Sequence, residues 1–304
     1  MGVKSSIFRE YDIRGIVGKD LNEEVLETLG KGIGTFLVKN SGKKIVVGCD
    51  NRETSKPFSK SLIDGLLSVG IDVTFMGLCT TPMVYFAVCN EKFDGGIMVT
   101  ASHNPPEFNG LKITAKNAFP VFGPDLQKIK QIIEREKFEV GKGKLSKESF
   151  EKDYLEMLSK KIRLSKKKLK VVVDTGNGVA GLVVAKVLRK WGVNVIEMFS
   201  ELDASFPNHL PDPTQIENVT DLIEKVKEEN ADLGLGFDGD CDRVGVVTSR
   251  ELVFADRVLC LLAKDFLEKH PGERVLVDVK CSQAIEDVVE QNNGKLVWWN
   301  TGHS

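Results

Sequence analysis

The segment Leu169-Lys170-Val171-Val172-Val173-Asp174-Thr175-Gly176-Asn177-Gly178 indicates the fold most directly. An apolar strand ends there in an aspartate and turns through two glycines into a helix that reaches about Trp191. The same order of strand, polar turn and helix recurs after strands at residues 44–50 and 274–279. Strands this uniformly apolar need helices on both faces of a mostly parallel sheet. The chain is therefore expected to form tandem repeated three-layer α/β/α domains.

Two polar stretches predict where these domains end. Residues 137–149 are rich in Lys, Glu, Gly and Ser, which is typical of a linker, and a second boundary is expected near 249–251. The resulting units are a first domain at 1–147, a second at 148–251 and a partial third at 252–304. The third unit has too few elements for a complete domain.

Composition favours a globular protein without a nucleic-acid or membrane partner. The formal net charge is -2 and 28% of the residues are charged. No apolar run is long enough to cross a bilayer, and the first residues lack the apolar core of a signal peptide. The 6 cysteines form no C-x-x-C pair and lie mostly in apolar runs. Such buried thiols predict a reducing, cytoplasmic location.

The acidic segment Asp238-Gly239-Asp240-Cys241-Asp242-Arg243 is a candidate metal loop, because it follows a predicted buried strand at 231–237. Alternate residues of an extended chain share a face, and Gly239 would let the loop curl around one cation. Carboxylates brought to ~5 Å repel by ~3 kcal/mol per pair, so a curled loop needs a cation. An EF-hand does not fit, because Arg243 and Ser249 stand where that loop needs Gly and Glu. A solvated acidic turn is the other interpretation.

The segment Thr100-Ala101-Ser102-His103-Asn104-Pro105 is a candidate reactive turn at the end of a predicted strand over 96–99. Pro105 and Pro106 forbid a helix there, so Ser102 would sit on a rigid turn. A Ser-His pair alone is as often an ordinary turn as a site, and the G-x-S-x-G elbow is absent. A phosphorylated Ser102 would carry three acceptor oxygens and could be a further ligand for the cation.

Two basic residues are candidates for phosphate binding. Arg14 lies in Phe8-Arg9-Glu10-Tyr11-Asp12-Ile13-Arg14-Gly15, and its guanidinium could fork onto a phosphate. Lys112 follows the serine turn closely and could serve the same group. From composition alone, the first segment could equally be a strand with surface charges, and an isolated lysine is usually solvated.

T-A-S-H-N-P, D-G-D-C-D-R and F-R-E-Y-D-I-R-G together resemble the motifs of the α-D-phosphohexomutase family, most closely its bacterial phosphomannomutase/phosphoglucomutase members. P-N-H-L-P-D-P at 207–213, D-V-K-C at 278–281 and T-G-H-S at 301–304 extend the resemblance along the chain. It implies four domains, of which the first three share one α/β topology. It also implies reversible phosphoryl transfer between O1 and O6 of mannose or glucose phosphates, through a phosphoserine and a bisphosphosugar.

The resemblance assigns expected roles to individual residues. Ser102 would be the phosphoserine and would share Mg²⁺ with Asp238, Asp240 and Asp242. Glucose 1,6-bisphosphate or mannose 1,6-bisphosphate would be activator and intermediate. Candidate catalytic groups besides Ser102 are Arg14, His103 and Lys112. Contacts to the sugar or its phosphates are expected from Tyr11, Arg243, Lys280 and His303.

Two departures from the family pattern are visible. Cys241 replaces the second glycine of the metal loop, so its side chain is expected to fit without a positive φ angle. The sequence also stops inside the family's third domain, and the sugar-recognition loop and fourth domain are not in it. We therefore expect an incomplete third domain whose open sheet edge and exposed Trp298 and Trp299 favour self-association.

Three other functions remain compatible with the residues themselves. A phosphosugar- and metal-binding fragment without turnover would use the same loops. An Asp-based phosphatase or a DxD-type transferase would use Asp238-Gly239-Asp240, although the phosphatase pattern wants Thr or Val where Asp242 stands. Stable phosphate on serine rather than on aspartate would distinguish the mutase from the phosphatase.

Overall fold

The computed structural model describes residues 2–162, 164 and 168–302. The α-helices in this part of the chain are α1 Glu23–Lys39, α2 Ser55–Ser68, α3 Thr81–Asn90, α4 Gly123–Glu134, α5 Glu151–Lys161, α6 Val184–Lys190, α7 Thr220–Glu228, α8 Ala255–Lys269 and α9 Ala284–Gln291. The strands are β1 Ile13–Ile16, β2 Lys44–Cys49, β3 Asp72–Leu78, β4 Gly95–Val99, β5 Phe108–Ala115, β6 Leu145–Lys147, β7 Lys170–Asp174, β8 Asn194–Met198, β9 Leu233–Phe237, β10 Val244–Val247, β11 Leu252–Val253, β12 Arg274–Asp278 and β13 Lys295–Trp299.

The strands form three sheets, in the orders β1-β5-β4-β2-β3-β6, β11-β10-β9-β7-β8 and β12-β13. The predicted repeat is confirmed: β2–α2–β3, β7–α6–β8 and β12–α9–β13 are each a pair of parallel strands joined by a helix. Among the described residues, 6 of the 10 strand pairs are parallel, as expected. Each of the two larger sheets is mixed, because hairpin-type pairs β4–β5 and β9–β10 add antiparallel strands at one side.

Apolar strands and amphipathic helices build the core of the first sheet. Val47, Ile97 and Leu111 are each fully buried beneath helices, as expected for strands that are covered on both faces. Helix α1 begins at a cap, where the Asn22 side chain accepts a hydrogen bond from the Val25 N–H at 2.9 Å. This core holds the ends of β2, β4 and β5 in fixed positions, and the site described below lies at those ends.

The segment predicted to be a linker is partly built into the first sheet. β6 pairs in parallel with β3, and the Val73 N–H donates to the Lys144 carbonyl at 2.8 Å. A Cβ at Gly143 would lie 1.9 Å from the Ile71 carbonyl oxygen, so only glycine permits this close approach. The polar composition arises because β6 is an exposed edge strand rather than a free linker.

The third unit consists of α8, α9 and the two-stranded sheet of β12 and β13. Its small core includes Leu267, Ile285 and Val289. The expected exposure of the tryptophans is observed, with 41% of Trp298 and 59% of Trp299 accessible. Among the described residues, no helix has both the length and the apolar character needed to span a bilayer.

Candidate functional site

The serine turn and the acidic loop, far apart in sequence, are in direct contact. Ser102 follows β4 and Asp238 follows β9, so each lies at the carboxyl end of a strand, where α/β proteins bind ligands. The Ser102 hydroxyl donates to Asp238 Oδ2 at 2.7 Å, and both residues have no accessible surface. The structure therefore joins the two strongest sequence candidates in one site.

The backbone of Ser102 is held in an unusual conformation. Its φ is +55°, in the left-handed region that residues with a side chain seldom adopt. The Ser102 N–H donates to Thr100 Oγ1 at 2.8 Å, and the Asn104 N–H donates to the Ala101 carbonyl at 3.1 Å. Such conformations persist where surrounding contacts impose them, and they are frequent at reactive sites.

Three carboxylates of the acidic loop converge as predicted. Asp238, Asp240 and Asp242 each offer one oxygen, and these oxygens lie within 4.8 Å of one another. Asp238 Oδ1 accepts the N–H groups of Asp242 and Arg243 at 3.0 and 2.9 Å, so the backbone itself curls the loop. A solvated turn is thus the wrong interpretation for Asp238 and Asp240, which are fully buried.

The residues fit a hard divalent cation. Asp240 Oδ2 accepts hydrogen bonds from Thr81 Oγ1 at 2.5 Å and Lys112 Nζ at 2.6 Å. Asp240 Oδ1 is buried and has no hydrogen-bond partner among the described residues. A buried carboxylate oxygen is normally satisfied, and all the donor atoms gathered here are oxygens. The cluster could therefore hold a metal ion, with Asp240 Oδ1 as one ligand.

Charge in this cluster is balanced partly by Lys112, which also contacts Asp242. Burial and the neighbouring carboxylates raise the pKa of Asp238. Burial also acts to raise the pKa of Asp240, but the ion pair with Lys112 outweighs it and lowers that pKa. Burial acts to lower the pKa of Lys112, but the attraction of Asp240 and Asp242 outweighs it and raises that pKa, so the ammonium stays charged.

Cys241 corrects one expectation from the sequence. It has φ +61°, although we expected its side chain to require a negative value. The Cys241 N–H donates to the Asp238 carbonyl at 3.0 Å, which closes the turn that returns the carboxylates to one point. This turn needs a left-handed residue, and an unbranched Cys tolerates that conformation at a cost of about 1–2 kcal/mol. The thiol borders a cavity of about 230 Å³ that Tyr154 and Trp191 also line.

A cavity of about 430 Å³ opens beside the cluster. Most of the remaining candidates line it, and its lining residues are Arg9, Glu10, Tyr11, Asp12, Arg14, Lys112, Asp242 and Arg243. Arg14 bonds Asp12 and the Asn104 side chain, both at 2.6 Å, and its Nε is buried without a partner among the described residues. The lining has four cationic and three acidic side chains, and its arginines suit the oxygens of a phosphorylated ligand.

His103 faces Arg243 rather than Ser102. Arg243 Nη1 lies 2.7 Å from His103 Nδ1, and because the guanidinium can only donate, Nδ1 must accept. Burial, together with the Arg243 charge, lowers the pKa of His103. The imidazole is therefore neutral, with its proton on Nε2.

The structure supports the other predicted sugar-binding residues less directly. The Tyr11 hydroxyl donates to the Thr301 carbonyl at 2.5 Å, so the 299–302 segment reaches the cavity. Lys280 is exposed after β12, is not among the cavity-lining residues, and its N–H donates to Asp278 Oδ1 at 2.7 Å. His303 lies outside the described residues.

Sequence reasoning missed two residues that hold this site. Thr81, at the start of α3, binds Asp240 through its hydroxyl and also donates its N–H to the Asp240 carbonyl at 2.9 Å. Arg52 follows β2 and contacts the Ser102 carbonyl at 2.8 Å. Their position in the sequence could have indicated them, because both follow shortly after a strand of the first sheet.

Replacing Gly239 by alanine tests how closely the two loops must approach. A Cβ there would lie 2.6 Å from the Ser102 carbonyl oxygen, so the loops must separate. We expect a loss of about 1–3 kcal/mol in the free energy of unfolding, measured by urea denaturation. Gly236→Ala, in the strand β9 that precedes this loop, is the control, because its Cβ meets nothing closer than 3.4 Å. Equal losses in the two variants would contradict the close approach.

Comparisons with known proteins agree with this geometry. The family described as phosphoglucomutase/phosphomannomutase, alpha/beta/alpha domain I, matches residues 5–140. Domains II and III of the same family match residues 152–251 and 254–304.

Individual relatives are similar over nearly the whole chain. A phosphomannomutase/phosphoglucomutase of Pseudomonas putida is 41% identical over 98% of this chain, which spans 64% of that protein. A phosphoglucomutase of Neisseria meningitidis is 37% identical, with 99% of this chain and 66% of that protein covered. A solved structure of a phosphoglucomutase/phosphomannomutase family protein from Burkholderia thailandensis has a TM-score of 0.95 at 36% identity, covering 99% of this chain and 67% of that one. The chain thus spans about two thirds of these proteins, and it belongs to the phosphoglucomutase/phosphomannomutase family.

Proposed function

We propose that the protein transfers phosphate reversibly between O1 and O6 of a hexose phosphate, of mannose, glucose or both. The observation that carries this proposal is the Ser102 hydroxyl, 2.7 Å from Asp238 inside a cluster of three carboxylates. The names of the Pseudomonas and Neisseria relatives support the sugar and the reaction. Because this chain spans 64% of the Pseudomonas protein, the activity is proposed for the whole protein.

In this proposal Ser102 carries the phosphate, and Asp238, Asp240 and Asp242 hold Mg²⁺ beside it. When bound, Mg²⁺ neutralises phosphate charge and orients the phosphoryl group. Phosphoserine 102 gives its phosphoryl group to a sugar hydroxyl, and the hydroxyl proton passes to a base. The resulting bisphosphosugar, glucose 1,6-bisphosphate or mannose 1,6-bisphosphate, turns in the cavity and returns its other phosphate to Ser102.

The structure supports different roles for the three candidate catalytic groups. His103 has its proton on Nε2 and its Nδ1 lone pair bound by Arg243, so it would accept the hydroxyl proton at Nδ1 once Arg243 turns to a phosphate. Lys112 is charged and bound to two carboxylates, so its role is to balance charge beside the transferring phosphate. Arg14 has an unpartnered buried Nε and would bind a phosphate oxygen. Tyr11, Arg243, Lys280 and His303 are proposed to bind the sugar and its phosphates.

The contacts of Asp238 favour a serine over an aspartate as phosphate carrier. Its Oδ1 accepts two backbone N–H groups and its Oδ2 accepts the Ser102 hydroxyl. These three hydrogen bonds draw electron density from the carboxylate and make it a weaker nucleophile, which disfavours the phosphatase alternative.

We further propose that the domain limits lie near residues 147 and 251 and that the protein is cytoplasmic. The first sheet ends with β6 at Lys147, which supports the first limit, whereas β11 extends the second sheet to Val253, two residues past the second limit. The 6 free cysteines support a reducing compartment. Self-association through the exposed apolar residues of β12 and β13 stays a prediction, and sedimentation of the purified chain would test it.

The test is the location of phosphate after incubation with glucose 1,6-bisphosphate and MgCl₂. We expect peptide mass spectrometry to find phosphate on Ser102, and none on the same peptide of Ser102→Ala. Ser149→Ala is the control, because Ser149 is exposed and belongs neither to the carboxylate cluster nor to the cavity lining. Phosphate confined to an aspartate, or none at Ser102 in the native chain, would refute the proposed function.

A further inference from the structure

A buried arginine outside the predicted set holds the serine turn. Arg52 is 3% exposed and follows β2 in the sequence Asp50-Asn51-Arg52. Its guanidinium lies beneath the turn, between β2 and the loop that joins β4 to β5. A charge this deeply buried requires several partners to offset its desolvation.

All five N–H donors of this guanidinium are used. Nε donates to Asp50 Oδ2 at 3.2 Å. The four N–H groups of Nη1 and Nη2 bond four backbone carbonyls of the loop and of the first residue of β5, those of Ser102 at 2.8 Å, Asn104 at 2.6 Å, Pro105 at 2.7 Å and Phe108 at 3.2 Å. Arginine is the side chain that offers five donors in a rigid plane.

These bonds explain how Ser102 keeps its left-handed backbone. The φ of +55° turns the Ser102 carbonyl inward, where Arg52 Nη2 is its donor, and directs the hydroxyl toward Asp238. Without that donor the carbonyl would be buried and unsatisfied, at a cost comparable to that of the strain itself. Arg52 thereby stabilises the left-handed conformation of Ser102 relative to other conformations of the turn.

Arg52 also connects the turn to the second domain. The Phe206 ring covers its guanidinium, with 5.1 Å between Cζ and the ring centroid. The preceding residue, Asn51, donates from its side chain to the Asn177 carbonyl at 2.8 Å. The same short segment therefore contacts both the serine turn and the domain that contributes the three carboxylates.

We propose that Arg52 is a positioning residue, which holds the Ser102 turn in its left-handed form and in register with the carboxylates of the second domain. The effect on reaction rate rests on the proposed function, whereas the effect on the turn does not. Arg52 is not among the residues that line the cavity, and its hydrogen bond to the site is the one to the Ser102 carbonyl. Its charge also attracts Asp240, and Arg52→Lys keeps that charge.

The test uses Arg52→Lys, which keeps the charge beside Asp50 but has fewer donors and no planar fork. Hydrogen exchange of the peptide spanning residues 98–110 should become faster in this variant, because the Ser102 and Asn104 amides lose their fixed turn. The rate of phosphate uptake from glucose 1,6-bisphosphate should fall about 100-fold, as expected for a displaced nucleophile, with little change in the half-saturating concentration. Arg189→Lys is the control, since Arg189 is half exposed and, within the described part of the chain, pairs with Glu197 and the Val195 carbonyl of the second domain.

A second variant covers the case in which Arg52→Lys does not fold. Asp50→Asn/Arg52→Gln removes both buried charges together, so no charge is left unpaired. It should show the same faster exchange and slower uptake. Unchanged exchange at residues 98–110 in the folded variants would overturn the proposal. If exchange is faster in the variants but the native chain takes up no phosphate, the role of Arg52 is supported and only the proposed function is refuted.

Discussion

Replacing Lys112 by methionine should lower the free energy of unfolding by about 3–5 kcal/mol in the absence of Mg²⁺. The Lys112 ammonium contacts Asp240 at 2.6 Å and also Asp242, and Asp240 is fully buried. Methionine has a similar length and fills the same space, so the variant removes the charge with little change in packing. It leaves a cluster of three carboxylates without its cationic partner.

The same variant should be rescued by Mg²⁺ more strongly than the native protein. An ion that binds only the folded state stabilises it by about 2.7 kcal/mol at 100 times its dissociation constant. Urea denaturation with EDTA and with MgCl₂ measures both effects. Lys116→Met is the control, because Lys116 is exposed and outside the cluster. A loss in Lys112→Met no larger than the control's, or no additional gain from MgCl₂, would contradict this account of the charge balance.

Asp240→Asn should weaken Mg²⁺ binding by more than tenfold while the protein still folds. The variant removes one charge and replaces the buried carboxylate whose Oδ1 has no other partner among the described residues. The fold should persist, because Lys112 keeps its ion pair with Asp242 and the two remaining carboxylates repel each other less than three do. Calorimetric titration with MgCl₂ measures the affinity.

Asp203→Asn is the matched control for this titration. Asp203 lies in an exposed turn, where its carboxylate binds the N–H and hydroxyl of Ser205. Asp203→Asn also removes one negative charge, but it leaves the carboxylate cluster unchanged. An Asp240→Asn affinity equal to that of Asp203→Asn would show that Asp240 is not a ligand.

Much of the fold and the centre of the site could be predicted from local patterns. Apolar runs that end in polar turns predicted the three strand–turn–helix units, and the structure adds a parallel strand after each helix. The same reasoning placed Ser102 and Asp238 at strand ends. The small strand β6 was missed because its residues are exposed and polar, so its composition is that of a linker.

Contacts between distant segments could not be predicted in this way. Lys112 and Asp242 are 130 residues apart, and only the packing of the two sheets makes them an ion pair. The role of Arg52 depends on four carbonyl groups, which every loop residue carries and no sequence pattern marks. The positive φ of Cys241 follows from the closed turn rather than from the preference of cysteine.

The sequence by itself determined which residue types stand at the ends of the buried strands, because apolar periodicity and turn residues act over a few neighbours. It thereby determined the α/β/α class, the serine turn and the acidic loop. The tertiary structure alone decided that the Ser102 hydroxyl meets Asp238, that Lys112 balances the carboxylates and that Arg52 holds the turn. These contacts depend on the relative position of two separately built sheets, and that position is set by packing between residues more than 100 apart in the chain.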